Sequence, residues 1–276
     1  MKGIFMISKG YRTKLYTIIA TMILFAFSCA VNIFPDSEDL KLGKQVDEEI
    51  RKNPKEYPIL AGRADVKEYV ASIGNKILAA PAIQKRGVYA YQYEIIANDS
   101  VVNAFCTPGG YIYVYTGLMK FIDDEATLAG IIGHEIAHAE RRHATKRMTK
   151  TYGAQILIGL VLGEKPSQVA EITANLFTGL ALLANSRSDE TEADEFSIKY
   201  LASTNYYPGA ITSFFKKMQD KRGGKSGGTL ERFLSTHPLD EDRVKHVQDV
   251  LGKMGNPVQT EANTFNAKYQ EFKKKL

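Results

Sequence analysis

The sequence of 276 residues contains only two cysteines, Cys29 and Cys106. Two cysteines exclude the dense disulfide framework of small secreted domains, so a hydrophobic core must hold the fold together. The two could pair in an oxidising compartment, but we favour a Cys29 that is removed or lipidated and a Cys106 that is a buried free thiol. The sequence also lacks low-complexity blocks and internal repeats, and its composition is that of an ordinary folded protein.

No basic stripe with interleaved aromatic residues occurs in the sequence, although the formal net charge is +5. Lys2, Lys9, Arg12 and Lys14 account for four of these charges, and the first acidic residue is Asp36. Positive charge collected in one terminal segment does not indicate a nucleic-acid interface. We therefore predict no nucleic-acid partner.

No apolar run reaches the roughly 20 residues that a membrane-spanning helix needs. The run LYTIIATMILFAFSCA follows the basic N-terminus and has the length of an export signal. It resembles a bacterial lipoprotein signal, in which a cysteine, here Cys29, becomes the lipidated first residue. Simple cleavage and an uncleaved anchor are the alternatives. All three predict that residues 1–29 are a signal peptide or N-terminal anchor and that the protein is exported, either periplasmic or membrane-anchored.

The pattern over residues 30–255 predicts one α+β domain, mostly helical with a small antiparallel sheet. Helices are predicted over 37–51, 64–79, 123–150, 187–203, 208–221 and 239–251. Residues 89–96 alternate as a strand does, and the Pro-Gly-Gly stretch at 108–110 lies between two further β-prone runs, which indicates a hairpin. Residues 256–276 are weakly patterned and are predicted as a C-terminal tail.

Two strongly apolar segments, 154–163 and 168–185, lie between the predicted helices. Neither is long enough to span a bilayer. They are expected to be two buried helices, and the alternative is a hairpin that touches the membrane. The glycine-rich stretch 223–228 is predicted as a flexible loop.

Two histidines four residues apart occur in GIIGHEIAHAE, residues 130–140. On a helix, His134 and His138 project from the same side, and Glu135 is turned about 100° from His134. H-E-x-x-H therefore supplies two imidazole ligands and one carboxylate base for a zinc ion. A catalytic zinc site needs a third protein ligand from elsewhere and leaves one position for water.

The candidate for the third ligand lies in the acidic stretch SRSDETEADEFSIKYLA, residues 186–202. Glu190 and Asp194 are also four residues apart on a predicted helix, so they share one side of it. Glu190 can bind the ion while Asp194 accepts an N–H from a ligating histidine, which orients the ring and raises its basicity. Glu192 is predicted to point away into solvent, and Ala193 allows the two helices to approach closely.

H-E-I-A-H followed by E-T-E-A-D resembles the HtpX, BepA and CAAX-prenyl-protease group of zinc metallopeptidases, which is metallopeptidase family forty-eight, a branch of the gluzincins. Three further stretches agree with that family: Asn103-Ala104-Phe105, GGYIYVYTGL at 109–118 and THPLDEDR at 236–243. The resemblance covers about residues 35–252 in the family's order. It implies a zincin-like metallopeptidase domain.

The resemblance implies that one zinc ion per chain is bound by His134, His138 and Glu190. It further implies that Glu135 takes a proton from the zinc-bound water, which attacks the peptide carbonyl, and then passes the proton to the leaving amine. In the family, the histidine that corresponds to His237 approaches the metal. His237 could therefore occupy the fourth position at rest or stabilise the oxyanion during turnover.

Arg243 is expected either to brace the loop before it or to pair with Asp194 or Glu190. Two other histidines are excluded as ligands. His143 lies about 140° round the predicted helix from the second histidine of the motif, and His246 lies on a helix face that looks exposed.

Asn103 and the strand edge near Gly109 to Tyr115, with Gly109 and Gly110 at its start, are expected to hold a substrate segment as an added β-strand. Pairing of this kind reads mainly the backbone, so it predicts loose sequence preference and substrates that are unfolded or extended proteins. Cys106 lies close to these residues in sequence, but a ligand role for it would break the family pattern.

These features predict a zinc-dependent endopeptidase that hydrolyses peptide bonds in exported or membrane-associated proteins, in particular misfolded ones. The alternative is a zinc-bearing chaperone or assembly factor for envelope proteins with little proteolysis. A structural or purely lipid-binding protein is a third class, which near-zero zinc in the purified chain would support.

Overall fold

The computed structural model describes residues 32–151, 185–221 and 227–276. The predicted signal or anchor, residues 1–29, lies outside the described residues. So do most of the apolar segments between 154 and 185 and most of the loop predicted at 223–228. In the part of the chain that is described, no helix has both the length and the apolar character needed to cross a membrane.

Two amphipathic helices begin the domain and confirm the sequence prediction to within a residue. α1 (Asp36–Lys52) has three acidic residues in its first turn and two basic residues in its last turn, as the helix dipole favours. α2 (Ala64–Leu78) buries an apolar stripe at three- and four-residue spacing. The members of this stripe are Val66, Val70, Ile73 and Ile77.

The sheet has three strands in the order β1-β3-β2, namely β1 (Gln92–Ile96), β2 (Ala104–Thr107) and β3 (Tyr111–Tyr115). β2 and β3 form the predicted antiparallel hairpin, and Gly109 and Gly110 in its turn have φ values of 74° and 91°. The predicted α+β class with a small sheet is confirmed, but the sheet is mixed and not antiparallel throughout, because β1 runs parallel to β3. Alternating hydrophobicity indicates which residues share a face, but it does not identify the neighbouring strand.

A short helix, α3 (Thr116–Phe121), leads to the central helix α4 (Glu125–Glu140). The carboxylate of Asp124 caps α4 by accepting the amide N–H of Thr127 at 2.7 Å. All 16 residues of α4 are buried. A helix enclosed on every side is held in place by its neighbours, so it is a rigid support for the motif that it carries.

The helix predicted to continue to about residue 150 instead ends at Glu140. Arg142 has a φ of 59°, and helical structure resumes at residue 143. A positive φ is uncommon for a residue with a side chain. Here the Arg142 guanidinium donates to Asp39 Oδ2 at 2.6 Å and to Phe34 O at 2.6 Å, and these bonds hold the turn. No glycine or proline marks the break, so the sequence gives no local signal for it.

α5 (Arg187–Leu201) begins with a capping box and packs along α4. The contact is close because α4 has glycines at the crossing. A Cβ added to Gly133 would lie 2.8 Å from Ser197 Oγ, and the same hydroxyl donates to Gly130 O at 2.8 Å. This approach brings the carboxylates of α5 to the histidines of α4.

Five helices follow α5 in the described part of the chain: α6 (Ile211–Lys221), α7 (Gly227–Thr236), α8 (Glu241–Lys253), α9 (Glu261–Thr264) and α10 (Asn266–Lys273). α6 and α8 confirm the predicted helices. Residues 256–276, predicted as a tail, contain α9 and α10 and pack against the core. Within α10, Tyr269 is buried and its hydroxyl donates to Met119 O at 2.7 Å.

Candidate metal centre

α4 directs two imidazole rings at one point. His134 and His138 are one helical turn apart, and their Nε2 atoms are 2.9 Å apart. Their side chains are 1% and 4% exposed, so neither is a surface histidine. Two nitrogen atoms at this distance need a proton or a cation between them, because two lone pairs repel each other.

α5 and the segment after α7 complete the group. Glu190 Oε2 lies 3.4 Å from His134 Nε2, and Glu190 Oε1 lies 3.2 Å from His138 Nε2. His237 Nδ1 lies 3.0 Å from Glu190 Oε1. Ligand atoms of all four residues lie within 4.8 Å of one another. The structure thus brings together the residues that the sequence suggested for the metal.

The donor atoms of this group fit a divalent metal ion. His134 Nδ1 lies 2.8 Å from Asp194 Oδ1. A carboxylate only accepts hydrogen bonds, so a neutral His134 carries its proton on Nδ1 and turns the lone pair of Nε2 towards the centre. Three imidazoles and one carboxylate form a nitrogen and oxygen set that suits zinc. The residues present therefore fit the ion that the sequence predicts.

Glu135 lies beside the group on the same helix. Its side chain is 1% exposed, and its Oε1 atom is 3.6 Å from His237 Nε2. Among the described residues this oxygen has no hydrogen-bond partner. A buried carboxylate oxygen that is not engaged elsewhere is able to take a proton from a neighbouring water.

Arg243 joins the two carboxylates of α5. Its Nε and Nη2 atoms donate to Asp194 at 2.5 and 3.0 Å, and Nη1 lies 2.6 Å from Glu190 Oε2. Burial raises the pKa of both carboxyls, but Arg243 and the nearby imidazoles outweigh it. The pKa of Asp194 is therefore lowered, and that of Glu190 is held well below its usual value. Both groups are ionised and available as hydrogen-bond acceptors or ligands.

The two histidines of α4 have opposite pKa shifts. Burial lowers the pKa of His134, but Glu190 and Asp194 outweigh this effect and raise the pKa to about 9. Burial and the charge of His134 hold the pKa of His138 well below its usual value. Without metal, the group therefore favours a proton on His134, and a divalent cation that binds there displaces this proton.

Two residues that the sequence placed outside the site contact it. His143 Nδ1 lies 2.8 Å from His138 Nδ1, and His143 Nε2 lies 2.9 Å from Glu192 Oε2. The prediction that Glu192 points into solvent is wrong, since it also accepts from Arg141 Nε at 2.7 Å. The angle of about 140° between His138 and His143 was predicted for a continuous helix. It does not apply here, because the helix breaks at Arg142.

Asn185 and Arg147 were not predicted as site residues. Asn185 Nδ2 donates to Glu190 Oε1 at 2.9 Å and lies 3.4 Å from His237 Nδ1. Arg147 Nη1 donates to Asn185 Oδ1 at 2.5 Å. Neither residue belongs to a motif with a chemical rationale, so the sequence offered no signal for them.

The residues predicted to bind substrate do not join the four-residue group. Asn103 is buried, and its Oδ1 atom has no hydrogen-bond partner among the described residues. Gly109 and Gly110 are buried as well. A Cβ on the first would lie 3.0 Å from Asp39 O, and one on the second would lie 2.8 Å from the Tyr91 ring. The strand edge expected near Gly109 to Tyr115 is not free, because β3 lies between β1 and β2 in the sheet formed by the described residues. A role of Asn103, Gly109 and Gly110 in substrate binding stays a prediction.

A cleft opens next to the centre. Phe105, Cys106 and Thr107 of β2 line it, together with Glu135 and His138. β2 is an edge strand of the sheet formed by the described residues. Burial and the charge of Glu135 raise the pKa of the Cys106 thiol well above its usual value. Cys106 is a free cysteine, and it is not one of the four residues whose ligand atoms lie together at the centre.

Comparison with known proteins gives a consistent match. Residues 64–251, which are more than half of the chain, match peptidase family M48. Mitochondrial metalloendopeptidase OMA1 of Arabidopsis thaliana is 39% identical over 154 residues, which are 55% of this chain and 30% of that protein. OMA1 of Schizosaccharomyces pombe is 28% identical over 186 residues, or 66% of this chain and 52% of that protein.

A further relative is the beta-barrel assembly-enhancing protease of Escherichia coli strain K12. It is 26% identical over 196 residues, which are 68% of this chain and 39% of that protein. The chain therefore spans between about a third and about half of the length of these three relatives.

Proposed function

The chain belongs to peptidase family M48, and from this premise we propose that it is a zinc metalloendopeptidase. The observation that carries the proposal is the buried group of His134, His138, Glu190 and His237 with Glu135 beside it. Amide hydrolysis at neutral pH needs an activated water and a proton acceptor close together. This group offers a site for the ion that activates water, and Glu135 offers the acceptor.

Each side chain then has a defined task. Zinc, when bound, supplies Lewis acidity that polarises the substrate carbonyl and lowers the pKa of water. Glu135 accepts the proton of the attacking water and transfers it to the nitrogen of the leaving amine. Asp194 fixes the ring of His134, and Arg243 keeps the carboxylates of α5 ionised.

His237 acts at the same centre in one of two ways. As a fourth ligand, His237 would hold the ion together with His134, His138 and Glu190, and the enzyme would be latent, because a catalytic zinc site keeps one position open. As a donor near the substrate oxygen it stabilises the oxyanion. His237→Ala separates the two roles: faster cleavage than wild type indicates autoinhibition, and slower cleavage indicates a catalytic contribution.

The proposed substrates are unfolded or extended segments of exported or membrane-associated proteins. Among the described residues β2 is an edge strand, and it lines the cleft beside Glu135, which supports binding of a substrate as an added strand. The charged and apolar pattern of residues 1–29 supports an exported location with a membrane anchor, and Cys29 is the proposed lipidation site.

Glu135→Gln tests the proposal. Wild type and variant would be incubated with unfolded envelope proteins, with cleavage followed by mass spectrometry and zinc by elemental analysis. We expect one zinc ion per chain in both, and cleavage that is slower by about 10²–10⁴-fold in the variant, because the proton acceptor is lost. Glu195→Gln, a half-exposed carboxylate of α5, is the control and should cleave normally. Wild-type cleavage by Glu135→Gln, or wild type without zinc, would contradict the proposal.

One relative is named for enhancing β-barrel assembly, which favours an assembly factor as the second candidate. In that case the function would depend on binding rather than on cleavage. A cellular defect caused by loss of the protein would then be rescued by Glu135→Gln, whereas a protease function predicts no rescue.

A further inference from the structure

We infer that His143 and Glu192 form a positioning chain that fixes the proton and the orientation of the ligand His138. The inference rests on the proposed zinc site and extends it by two side chains that do not belong to the four-residue group. Neither residue is assigned a catalytic role, because neither contacts the proposed place of the ion.

The geometry places the ring of His143 between a ligand and a carboxylate. His143 Nδ1 lies 2.8 Å from His138 Nδ1, and His143 Nε2 lies 2.9 Å from Glu192 Oε2. The two rings are nearly perpendicular, with an interplanar angle of 76° and centroids 4.9 Å apart. Their Nδ1 atoms face each other, so one of them donates a proton and the other accepts it.

The carboxylate decides which nitrogen donates. Glu192 can only accept, so His143 Nε2 carries a hydrogen and donates it. In the tautomer of His143 that carries its single proton on Nε2, the Nδ1 atom is an acceptor, and His138 Nδ1 donates to it. His138 Nε2 is left with its lone pair, directed at the centre shared with Glu190. The tautomer that metal binding requires is therefore set by a carboxylate that is two hydrogen bonds away from the ligand atom.

The same logic operates directly at the other ligand of α4. His134 Nδ1 lies 2.8 Å from Asp194 Oδ1, without an intermediate ring. Asp194 and Glu192 both belong to α5. One helix thus supplies the orienting carboxylate for each of the two ligating rings, and for His138 the carboxylate acts through His143.

Two arginines hold the residues of the positioning chain, His143 and Glu192, in place. Arg142 adopts its positive φ where the helix breaks, and its guanidinium is held by Asp39. The next residue, His143, therefore begins a new helical segment and faces His138. Arg141 Nε donates to Glu192 Oε1 at 2.7 Å, which restricts the carboxylate to the conformation that meets His143.

The test is the zinc dissociation constant of the purified full chain, measured by competition with a chelator. We expect Glu192→Ala to bind zinc about 10–100-fold more weakly than wild type. The matched control is Glu195→Ala on the same helix, where the carboxylate is equally half-exposed but pairs with His246 at 3.4 Å and with Lys199. The control should bind zinc as wild type does. Unchanged affinity in Glu192→Ala, or an equal loss in the control, would overturn the inference.

A second measurement separates positioning from a general structural effect. His143→Ala and the double variant Glu192→Ala/His143→Ala complete a double-mutant cycle. In a positioning chain the two losses of zinc affinity are not additive, because either substitution breaks the same connection. In cobalt-substituted protein, Glu192→Ala should also shift the visible absorption bands, since the imidazole is no longer held. Additive losses of zinc affinity together with unchanged absorption bands would contradict the proposed positioning chain.

The Glu192→Ala comparison stands even if His143→Ala does not fold. Wild type that binds no zinc would refute the proposed function as well as the inference. Wild type that binds zinc no more tightly than Glu192→Ala would refute the inference alone.

Discussion

Arg243 is the side chain on which the charges of the centre depend. It is buried and contacts two buried carboxylates, Asp194 and Glu190. A buried ion pair is not a large source of stability in itself, but removal of one partner leaves a charge without water or a counter-charge. Arg243 therefore supplies a positive charge to both carboxylates before any metal binds.

Replacement of Arg243 should consequently destabilise the metal-free protein. We expect Arg243→Ala to lower the free energy of unfolding by about 3–5 kcal/mol, measured by urea denaturation in the presence of a chelator. The control is Arg187→Ala, whose side chain is 80% exposed and pairs with Asp240, and which should cost less than about 1 kcal/mol. A loss in Arg243→Ala as small as that of the control would show that the two carboxylates do not depend on the charge of Arg243.

The same contact predicts a pH dependence. Despite burial, Arg243 lowers the pKa of Asp194 in the folded state. A carboxyl with a lowered folded pKa contributes stability above its unfolded pKa of about 3.9, and this contribution is lost as the pH falls through the folded value. The difference in unfolding free energy between wild type and Arg243→Ala should therefore shrink as the pH is lowered through this range. A difference that stays constant would contradict the assignment.

Local spacing explains which parts of the site could be predicted. His134 and His138, like Glu190 and Asp194, are four residues apart, and helix geometry fixes their common direction wherever the helix lies. His143 could not be predicted, because its direction depends on a break in the helix that long-range ion pairs of the preceding arginine stabilise. Contacts that depend on tertiary structure leave no periodic signal in the sequence.

At the scale of elements, the crossing of α4 with its neighbours determines how closely the ligands approach. Gly130 of α4 packs against the residues at which α6 begins. A Cβ added there would lie 2.9 Å from Ile211 N and 3.3 Å from Ala210 C. Both are backbone atoms, so the clash cannot be relieved by the rotation of a side chain. This glycine is needed for close approach and not for an unusual backbone angle.

Gly130→Ala should therefore destabilise the protein although alanine favours helices. We expect a loss of about 1–3 kcal/mol in unfolding free energy, the usual effect of overpacking. Gly252→Ala is the matched control: it lies in α8, the nearest atom to its added Cβ is 3.9 Å away, and it should gain up to about 1 kcal/mol. The close-approach argument fails if both substitutions stabilise the protein to a similar extent in urea denaturation.

The elements themselves were predictable where one face is apolar and the ends are marked. α1 and α2 have such patterns, and both agree with the prediction to within a residue. The parallel alignment of β1 with β3 was not predictable, because strand pairing depends on which segment inserts between two others. The end of α4 was missed for a related reason, since its cause is an ion pair with α1.

At the scale of the whole molecule, the C-terminal segment is part of the structure that supports the centre. Glu125, the first residue of α4, is buried and accepts from the hydroxyls of Tyr69 and Tyr206 at 2.6 and 2.7 Å. Lys268 of α10 lies 2.6 Å from the same carboxylate. Three helices, α2, α4 and α10, and the loop that follows α5 therefore meet at one buried acid. The start of α4, the helix that carries His134 and His138, is fixed in part by α10.

Tyr269 provides the test of this coupling. Its ring is fully buried, so Tyr269→Ala removes a large side chain from the core and should lower the free energy of unfolding by about 3–5 kcal/mol. Tyr269→Phe loses only the bond to Met119 O and should cost about 1 kcal/mol. Urea denaturation of the metal-free protein would measure both losses. The control is Lys274→Ala, which removes an exposed side chain that pairs with Glu271 and should have little effect. If the C-terminal segment and the core unfold as one cooperative unit, Tyr269→Ala moves a single unfolding transition to a lower urea concentration. If the segment is only a tail, the protein tolerates Tyr269→Ala as well as it tolerates Lys274→Ala.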